Sequence, residues 1–176
     1  MRIIGIDPGL TRCGVGVIEL DSRRRLTAIH VGVIRTPTTM PLEARLLEVA
    51  TALDSLFDEF TPSAAAVERV FAQANVRSVM GTAQVSGLAL LAAARRGIEV
   101  ATYTPTEVKA AVSGSGRAEK AQVTHMVQRL LGLTEAPKPA DAADALAIAI
   151  CHAWRGAARS RLATAVARSQ RSSVRD

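Results

Sequence analysis

The sequence predicts an α/β fold in which a mixed five-stranded sheet, with three antiparallel strands plus parallel strands, is flanked by α-helices. Three observations support this prediction. Short apolar segments typical of strands, several of them rich in β-branched residues, recur at five places in the 176-residue chain. The first three follow one another with short turns, as in an antiparallel meander. The last two alternate with long segments of helical period, which is typical of crossovers between parallel strands.

The first three strands are predicted at residues 2–7, 13–20 and 26–36. Short turns join them, so neighbouring strands pair in antiparallel fashion. The second strand contains Gly14 and Gly16, which lack a side chain. We expect another element to approach the backbone closely at these two glycines.

The period changes at residues 41–60, where an apolar stripe alternates with acidic residues and predicts an amphipathic helix. A short buried strand follows at residues 64–70, and the helix before it predicts a parallel crossover. Residues 75–96 form a long helical stretch that is apolar around much of its circumference. The fifth strand is predicted at residues 98–103.

Three helices complete the predicted fold. The first spans residues 105–112 and begins after Thr104, which forms a capping box with Glu107. The second spans residues 118–131, and the last spans roughly residues 140–154.

The net charge of +6 is unevenly distributed. Residues 155–176 hold six arginines and one aspartate, which accounts for +5. A second basic stretch spans residues 69–129, and the first third of the chain is acidic. A basic face of this kind suits nucleic acid, although a solvated surface with a basic tail explains the charge equally well.

The domain organisation follows from composition. Residues 1–155 are predicted to form one domain, and residues 156–176, without apolar periodicity, a basic disordered tail. No apolar run is long enough to span a bilayer, and no signal peptide is evident. We therefore expect a cytoplasmic protein without a membrane partner.

Two carboxylates are predicted at strand ends. Asp7 ends the first strand, because Pro8 cannot donate to a ladder and Gly9 turns freely. Glu68 follows an apolar run in the fourth strand. A turn aspartate that caps its own backbone, and a surface pair between Glu68 and Arg69, are the alternative interpretations.

Two further carboxylates lie three residues apart on the last helix, at Asp141 and Asp144, and so share a face. Asp141 is also explained as a first-turn acid that the helix dipole favours. Asp144 has almost only apolar neighbours, and a buried carboxylate requires a cation, a hydrogen bond or water. If the last helix packs on the ends of the first and fourth strands, all four acids converge. Such an oxygen-only site suits two Mg²⁺ or Mn²⁺ ions that cleave a phosphodiester.

Four segments together resemble the RuvC family of crossover (Holliday) junction endodeoxyribonucleases: residues 4–9, 67–71, 114–120 and 141–149. Their order and spacing fit the family along roughly residues 1–155. The resemblance implies a ribonuclease H-like fold, a homodimer, and the RuvA–RuvB branch-migration complex as partner. It also implies Mg²⁺-dependent paired nicking of four-way junction DNA in homologous recombination and DNA repair. Two ions per site are expected, and Mn²⁺ is expected to substitute. The implied metal ligands are Asp7, Glu68, Asp141 and Asp144.

The resemblance places two further cations, Lys109 and Lys120, beside the active site, where they can hold the scissile phosphate. Taken singly, each is better explained as a solvated lysine. Three arginines are candidate DNA contacts: Arg69, Arg77 and Arg117.

The remaining expectations concern an aromatic side chain and a helix. Phe71 closely follows Glu68 and is expected to stack on a base loosened at the junction, with a core plug as the alternative. The long apolar helix is expected to supply the dimer contact through Gly81, Val85 and Leu88.

Two other functions remain open on the sequence alone. An actin-like phosphotransferase or ATPase also has a first strand that ends in Asp-x-Gly before a hairpin, but this chain has no second Asp-x-Gly-x-Thr stretch. A non-catalytic DNA-binding module explains the basic face and leaves the apolar-flanked acids unexplained.

Overall fold

The computed structural model describes residues 1–69 and 76–172, with side chains for residues 1–69 and 79–156. The strands of its sheet are β1 (Arg2–Asp7), β2 (Arg12–Leu20), β3 (Leu26–Arg35), β4 (Ala64–Glu68) and β5 (Glu99–Tyr103). The helices are α1 (Leu42–Phe60), α2 (Val76–Arg95), α3 (Pro105–Ser113), α4 (Lys120–Leu130) and α5 (Ala140–Ser172). No described helix is both long enough and apolar enough to cross a membrane.

The sheet has the strand order β3-β2-β1-β4-β5. β1 pairs with β2, and β2 with β3, in antiparallel fashion, whereas β1–β4 and β4–β5 are parallel pairs. The predicted meander and both parallel additions are therefore confirmed. The crossover through α1 accounts for the parallel β1–β4 pair, because a strand that returns after a helix lies in the same direction as the first.

Alternation along β1 divides the core between the two faces of the sheet. Ile3 packs with residues of α3, α4 and α5, whereas Ile4 and Ile6 pack with α1 and α2. Successive side chains of a strand point to opposite faces. Asp7 therefore has the same orientation as Ile3 and Gly5, towards α5.

Glycines allow α5 to lie directly on β1 and β2. A Cβ atom at Gly5 would come within 2.1 Å of the carbonyl oxygen of Ala145, and one at Gly14 within 2.1 Å of that of Asp141. The expected close approach at Gly14 and Gly16 is confirmed, and the approaching element is α5, whose Leu146 contacts Gly16. Packing at this distance fixes the first turn of α5 against the sheet.

The predicted capping box of α3 is present. The Thr104 hydroxyl accepts from the Glu107 backbone N–H at 3.1 Å, and the Glu107 carboxylate accepts from the Thr104 N–H at 2.9 Å. Pro105 occupies the first turn, as expected. This end of α3 follows β5 directly and so is held beside the end of the sheet.

Three predictions require correction. α5 continues to Ser172 instead of ending near Trp154, because alanine and arginine, which dominate the extension, are strong helix formers. β4 ends at Glu68 instead of Val70. Val85 is fully buried on the core-facing side of α2 and is not available for a dimer contact, whereas Gly81 and Leu88 are half-buried. The division into residues 1–155 and 156–176 stays a prediction.

Candidate active site

Two carboxylates occupy the same end of neighbouring parallel strands. Ile6 of β1 is in register with Val67 of β4, so the next residues, Asp7 and Glu68, leave the sheet at the same edge. Glu68 alternates with Ala64 and Ala66, which pack on the α5 side of the sheet. Both carboxylates therefore point towards the helix that carries the other two.

The beginning of α5 brings Asp141 and Asp144 to this edge. Gly14 is opposite Asp7 in the β1–β2 pairing, and the Asp141 backbone lies directly on Gly14. Asp144 is three residues further along the helix and so lies on the same face. The predicted convergence of the four acids is present, and their role as metal ligands stays a prediction.

The electrostatic properties of Asp7 reflect this crowding. Burial raises the pKa of Asp7 from 3.8 to about 7, with further contributions from the charges of Glu68, Asp144 and Asp141, and Lys120 opposes the shift. Burial also raises the pKa of Glu68, with Asp144 adding to the shift and Lys120 opposing it. The charges of the neighbouring carboxylates thus make ionisation of Asp7 less favourable, as expected where acidic side chains are clustered.

Two basic side chains partly neutralise the acids. Lys120 Nζ lies 2.6 Å from Asp144 Oδ2, and Arg12 Nε and Nη2 each lie 2.6 Å from Asp141 Oδ2. The hydrogen bond to Asp144 raises the pKa of Lys120. Both side chains are largely accessible, at 60% for Lys120 and 47% for Arg12. These cations lie within reach of an incoming anion.

The donor set fits a hard cation, although the side chains are not arranged around one. Carboxylate oxygens are the ligands that Mg²⁺ and Mn²⁺ prefer. Within the described part of the chain, no three His, Cys, Asp or Glu side chains already form a group that could hold an ion. Asp141 and Asp144 instead face Arg12 and Lys120. An ion that used all four acids would have to draw these two away from their cations.

A cleft of about 200 Å³ opens beside the acids. Glu68, Asp144, Lys109 and Lys120 provide its polar lining, and its apolar lining comes from Pro105, Val108, Val123 and Ala147. The structure thus places Lys109 beside the acids together with Lys120. Lys109 forms no ion pair with any described carboxylate, so the two lysines differ in their surroundings.

The other predicted DNA contacts lie further out or outside the described side chains. Arg69 is exposed, and its Nη2 lies 3.3 Å from Thr102 Oγ1. Arg117 is exposed in the turn before α4. Phe71 lies outside the described residues, and Arg77 lies on α2 where side chains are not described.

Arg12 was not identified from the sequence. It opens β2 two residues before Gly14, so strand alternation places both on the face that α5 covers. Because Asp7 pairs with Gly14, this part of the hairpin lies at the acidic end of the sheet. The sequence signal for Arg12 is the two-residue alternation of β2, which puts it on the same face as Gly14.

Comparison with known proteins gives a consistent result. A family model described as "Crossover junction endodeoxyribonuclease RuvC" matches residues 3–152. A protein of that name from Saccharopolyspora erythraea is 62% identical over 169 residues, which cover 96% of this chain and 85% of the relative. One from Salinispora arenicola is 62% identical over 171 residues, or 97% of this chain and 98% of the relative.

Solved structures show the same likeness. Thermus thermophilus RuvC in complex with a Holliday junction substrate superposes with a TM-score of 0.84 at 36% identity, covering 89% of this chain and 94% of that one. A yeast mitochondrial Holliday junction resolvase has a TM-score of 0.60 at 15% identity and covers 86% of this chain and 78% of that one, which shows the shared fold alone.

Proposed function

This chain belongs to the RuvC family of crossover junction endodeoxyribonucleases, and we propose that it resolves four-way DNA junctions by nicking two symmetry-related strands. The observation that carries the proposal is the convergence of four acids at one edge of the sheet, with the pKa of Asp7 raised to about 7. Such a cluster costs stability unless a cation neutralises it. Its place beside exposed basic side chains suits a phosphodiester substrate.

RuvC nucleases depend on metal ions in general, and we propose two Mg²⁺ ions held by Asp7, Glu68, Asp141 and Asp144, with Mn²⁺ able to substitute. Such ions would supply activation of a water and charge stabilisation at the departing 3′ oxygen, and hydrolysis of this kind would leave a 5′ phosphate and a 3′ hydroxyl. The raised pKa of Asp7 keeps this side chain partly protonated near neutral pH until a cation arrives.

The basic side chains have complementary roles in this proposal. Lys120 and Lys109 hold the scissile phosphate, because both line the cleft beside Glu68 and Asp144. Arg12 orients Asp141 through its paired contacts to Oδ2. Arg69, Arg77 and Arg117 contribute further DNA contacts, and Phe71 stacks on a base at the crossover, as the sequence predicts.

Paired nicking requires two active sites, and we propose a homodimer that forms through α2. One exposed face of α2 consists of apolar and small residues at helical spacing: Met80, Ala83, Gly87, Leu90, Leu91 and Ala94. Met80 is 56% exposed and Leu91 is 46% exposed. A two-fold dimer matches the approximate two-fold symmetry of a four-way junction. The RuvA–RuvB complex as partner, a cytoplasmic location and a basic tail at residues 156–176 complete the proposal.

The alternative functions receive less support. An actin-like phosphotransferase or ATPase requires a second phosphate loop. The family model that matches residues 3–152 is instead that of a nuclease. A DNA-binding module without activity does not account for four converging acids in a partly buried position.

The experiment that tests the proposal offers the protein a synthetic four-way junction and a linear duplex of the same sequence, each with and without Mg²⁺. We expect symmetric nicks in two opposed strands of the junction, only with the ion, and ligatable products. The duplex should stay intact. Equal cutting of both substrates, or hydrolysis of ATP in place of DNA, would contradict the proposal.

A further inference from the structure

A second cleft lies on the other side of the loop that joins β1 to β2. It measures about 670 Å³. Residues 9–11 of the loop and Arg12 of β2 contribute to its lining, and Thr38, Arg45, Gly81 and Thr82 contribute the rest. Gly9, the first of these lining residues, lies two residues after Asp7, so this cleft adjoins the acidic end of the sheet on its α1 and α2 side. The cleft that contains Lys120 borders the acids from the opposite side.

Neutral hydroxyl groups hold Arg45 in this cleft. Its Nε donates to Thr36 Oγ1 at 2.9 Å, and its Nη2 donates to Thr11 Oγ1 at 2.8 Å. Thr36 is 2% exposed and donates in turn to the carbonyl oxygen of Leu10. The guanidinium is therefore fixed relative to the loop that follows Asp7, although Arg45 itself lies on α1.

Arg45 has no acidic partner within the described residues. Some other arginines of the chain do have one: Arg12 pairs with Asp141, Arg96 with Asp54, and Arg155 with Glu107. A guanidinium has five N–H groups, and the two hydroxyls occupy two of them. The Nη1 edge thus has no acceptor among the described residues, and no carboxylate neutralises its charge.

An arginine held in place by neutral acceptors is preorganised for an external anion. Its planar fork matches two oxygens of one phosphate, and little side-chain freedom is left to lose on binding. A purely structural arginine that joins α1 to the loop would make the same two hydrogen bonds. The structural role, however, does not require a positive charge at the edge of a cleft beside the active site.

We propose that Arg45 binds a backbone phosphate of the strand to be cut, next to the scissile phosphate, and so sets the register of that strand over the acids. This inference rests on the proposed function, because it presumes junction DNA as the substrate. A strand that crosses the end of the sheet would contact Lys120 on one side of the acids and Arg45 on the other. Arg45 is then a DNA-positioning residue that bonds with neither the water nor the leaving oxygen.

The test combines a protein variant with neutral phosphates. Junctions that carry one methylphosphonate linkage at successive positions around the cut are bound to the wild type and to Arg45→Gln, in chelator so that no cutting occurs. For the wild type, we expect about a tenfold loss of affinity at one position beside the scissile linkage. Arg45→Gln should lose about tenfold on the normal junction and show no further loss at that position. It should also lower the slope of log Kd against log salt by about 0.9 per contact.

The matched control is Arg23→Gln, which removes the same charge from an exposed position in the β2–β3 turn at the opposite end of the sheet. Its affinity and methylphosphonate profile should equal those of the wild type. Arg45→Lys keeps the charge without the fork and should lose affinity at that same position only in part. This variant serves the test if Arg45→Gln fails to fold, as judged by a melting curve.

The outcomes separate the two proposals. If Arg45→Gln and Arg45→Lys stay as sensitive as the wild type to every neutral linkage, Arg45 contacts no phosphate and the inference is wrong, even if the wild type binds and cuts the junction. If the wild type neither binds nor cuts the junction, the proposed function is wrong as well.

Discussion

Lys120 and Asp144 form an ion pair at 2.6 Å inside the group of acids that is proposed to bind metal. The ammonium group and a metal ion cannot both use the same carboxylate oxygen. Under the proposal that Asp144 is a metal ligand, Lys120 would compete with the ion for this carboxylate when DNA is absent. With DNA bound, the lysine would instead face the phosphate and leave Asp144 to the ion.

This competition predicts opposite effects on metal binding and cleavage. Lys120→Met should bind Mn²⁺ about twofold to fivefold more tightly without DNA, since an exposed ion pair contributes only about 0.2–1 kcal/mol. Its single-turnover cleavage should fall about a hundredfold, because one charge on the phosphate is lost. Titration calorimetry and cleavage assays measure the two effects. Lys109→Met is the control: it should leave the affinity for Mn²⁺ unchanged. An unchanged or weakened affinity in Lys120→Met would show that no competition exists.

The approach of α5 to β2 predicts a steric effect at Gly14. A Cβ atom there would lie 2.1 Å from the carbonyl oxygen of Asp141, and a backbone atom cannot rotate away. Gly14→Ala should lower the free energy of unfolding by about 1–3 kcal/mol and strongly reduce cleavage, because the first turn of α5 must shift. In the control, Gly32→Ala, the nearest atom is Nε2 of the His30 ring at 2.9 Å, which a rotation can move. Denaturant titration should show a smaller loss there. Equal losses would contradict the assigned packing.

The raised pKa of Asp7 predicts a pH dependence of stability in chelator. Because the folded pKa is about 7 and the reference value is 3.8, the folded state keeps a proton that the unfolded state releases. The free energy of unfolding of the wild type should thus decrease as the pH is raised from about 4 to about 7, by at most about 4 kcal/mol in total. Asp7→Asn lacks this titration and should be the more stable protein at pH 8. Melting curves at pH 5 and pH 8 measure the difference. A variant that melts below the wild type at pH 8 argues against a crowded acidic cluster.

The exposed stripe of α2 predicts the effect of a charge on assembly. Leu91→Glu should yield folded monomers in analytical ultracentrifugation and should uncouple the two nicks, because each monomer cuts alone. Val31→Glu places the same charge on an exposed position of the edge strand β3 and should stay dimeric. Val85→Glu should unfold the protein, since Val85 is buried in the core. If Leu91→Glu remains a dimer, the interface lies elsewhere.

Much of the fold was predictable because local signals agree with the global arrangement. The β-branched runs, the capping box at Thr104 and the change to helical period each identify one element. The four acids were predictable for a related reason: Glu68 and Asp144 follow apolar residues, where a carboxylate is costly without a partner. The glycines of β2 predicted a close neighbour, and α5 fills that position.

Other features depend on contacts that periodicity does not determine. α2 is apolar around much of its circumference, so the sequence could not show that Val85 faces the core and Leu91 faces outward. Arg12 and Arg45 acquire their partners only when the β1–β2 hairpin and the beginning of α1 meet at the end of the sheet. The role proposed for each arginine depends on its acceptors, which are carboxylate oxygens for Arg12 and neutral hydroxyl groups for Arg45.

The most direct test of the proposed acidic active site separates DNA binding from DNA cutting in one carboxylate variant. Asp7→Asn removes a single charge from the centre of the acidic group, and lysine and arginine contacts to phosphate supply most of the affinity. The measurement is the junction affinity in chelator and the single-turnover cleavage rate in Mg²⁺, for the wild type and Asp7→Asn. For Asp7→Asn we expect an affinity within about threefold of the wild type, and cleavage reduced at least about a thousandfold. An Asp7→Asn protein that cuts the junction at a rate near that of the wild type would contradict this expectation.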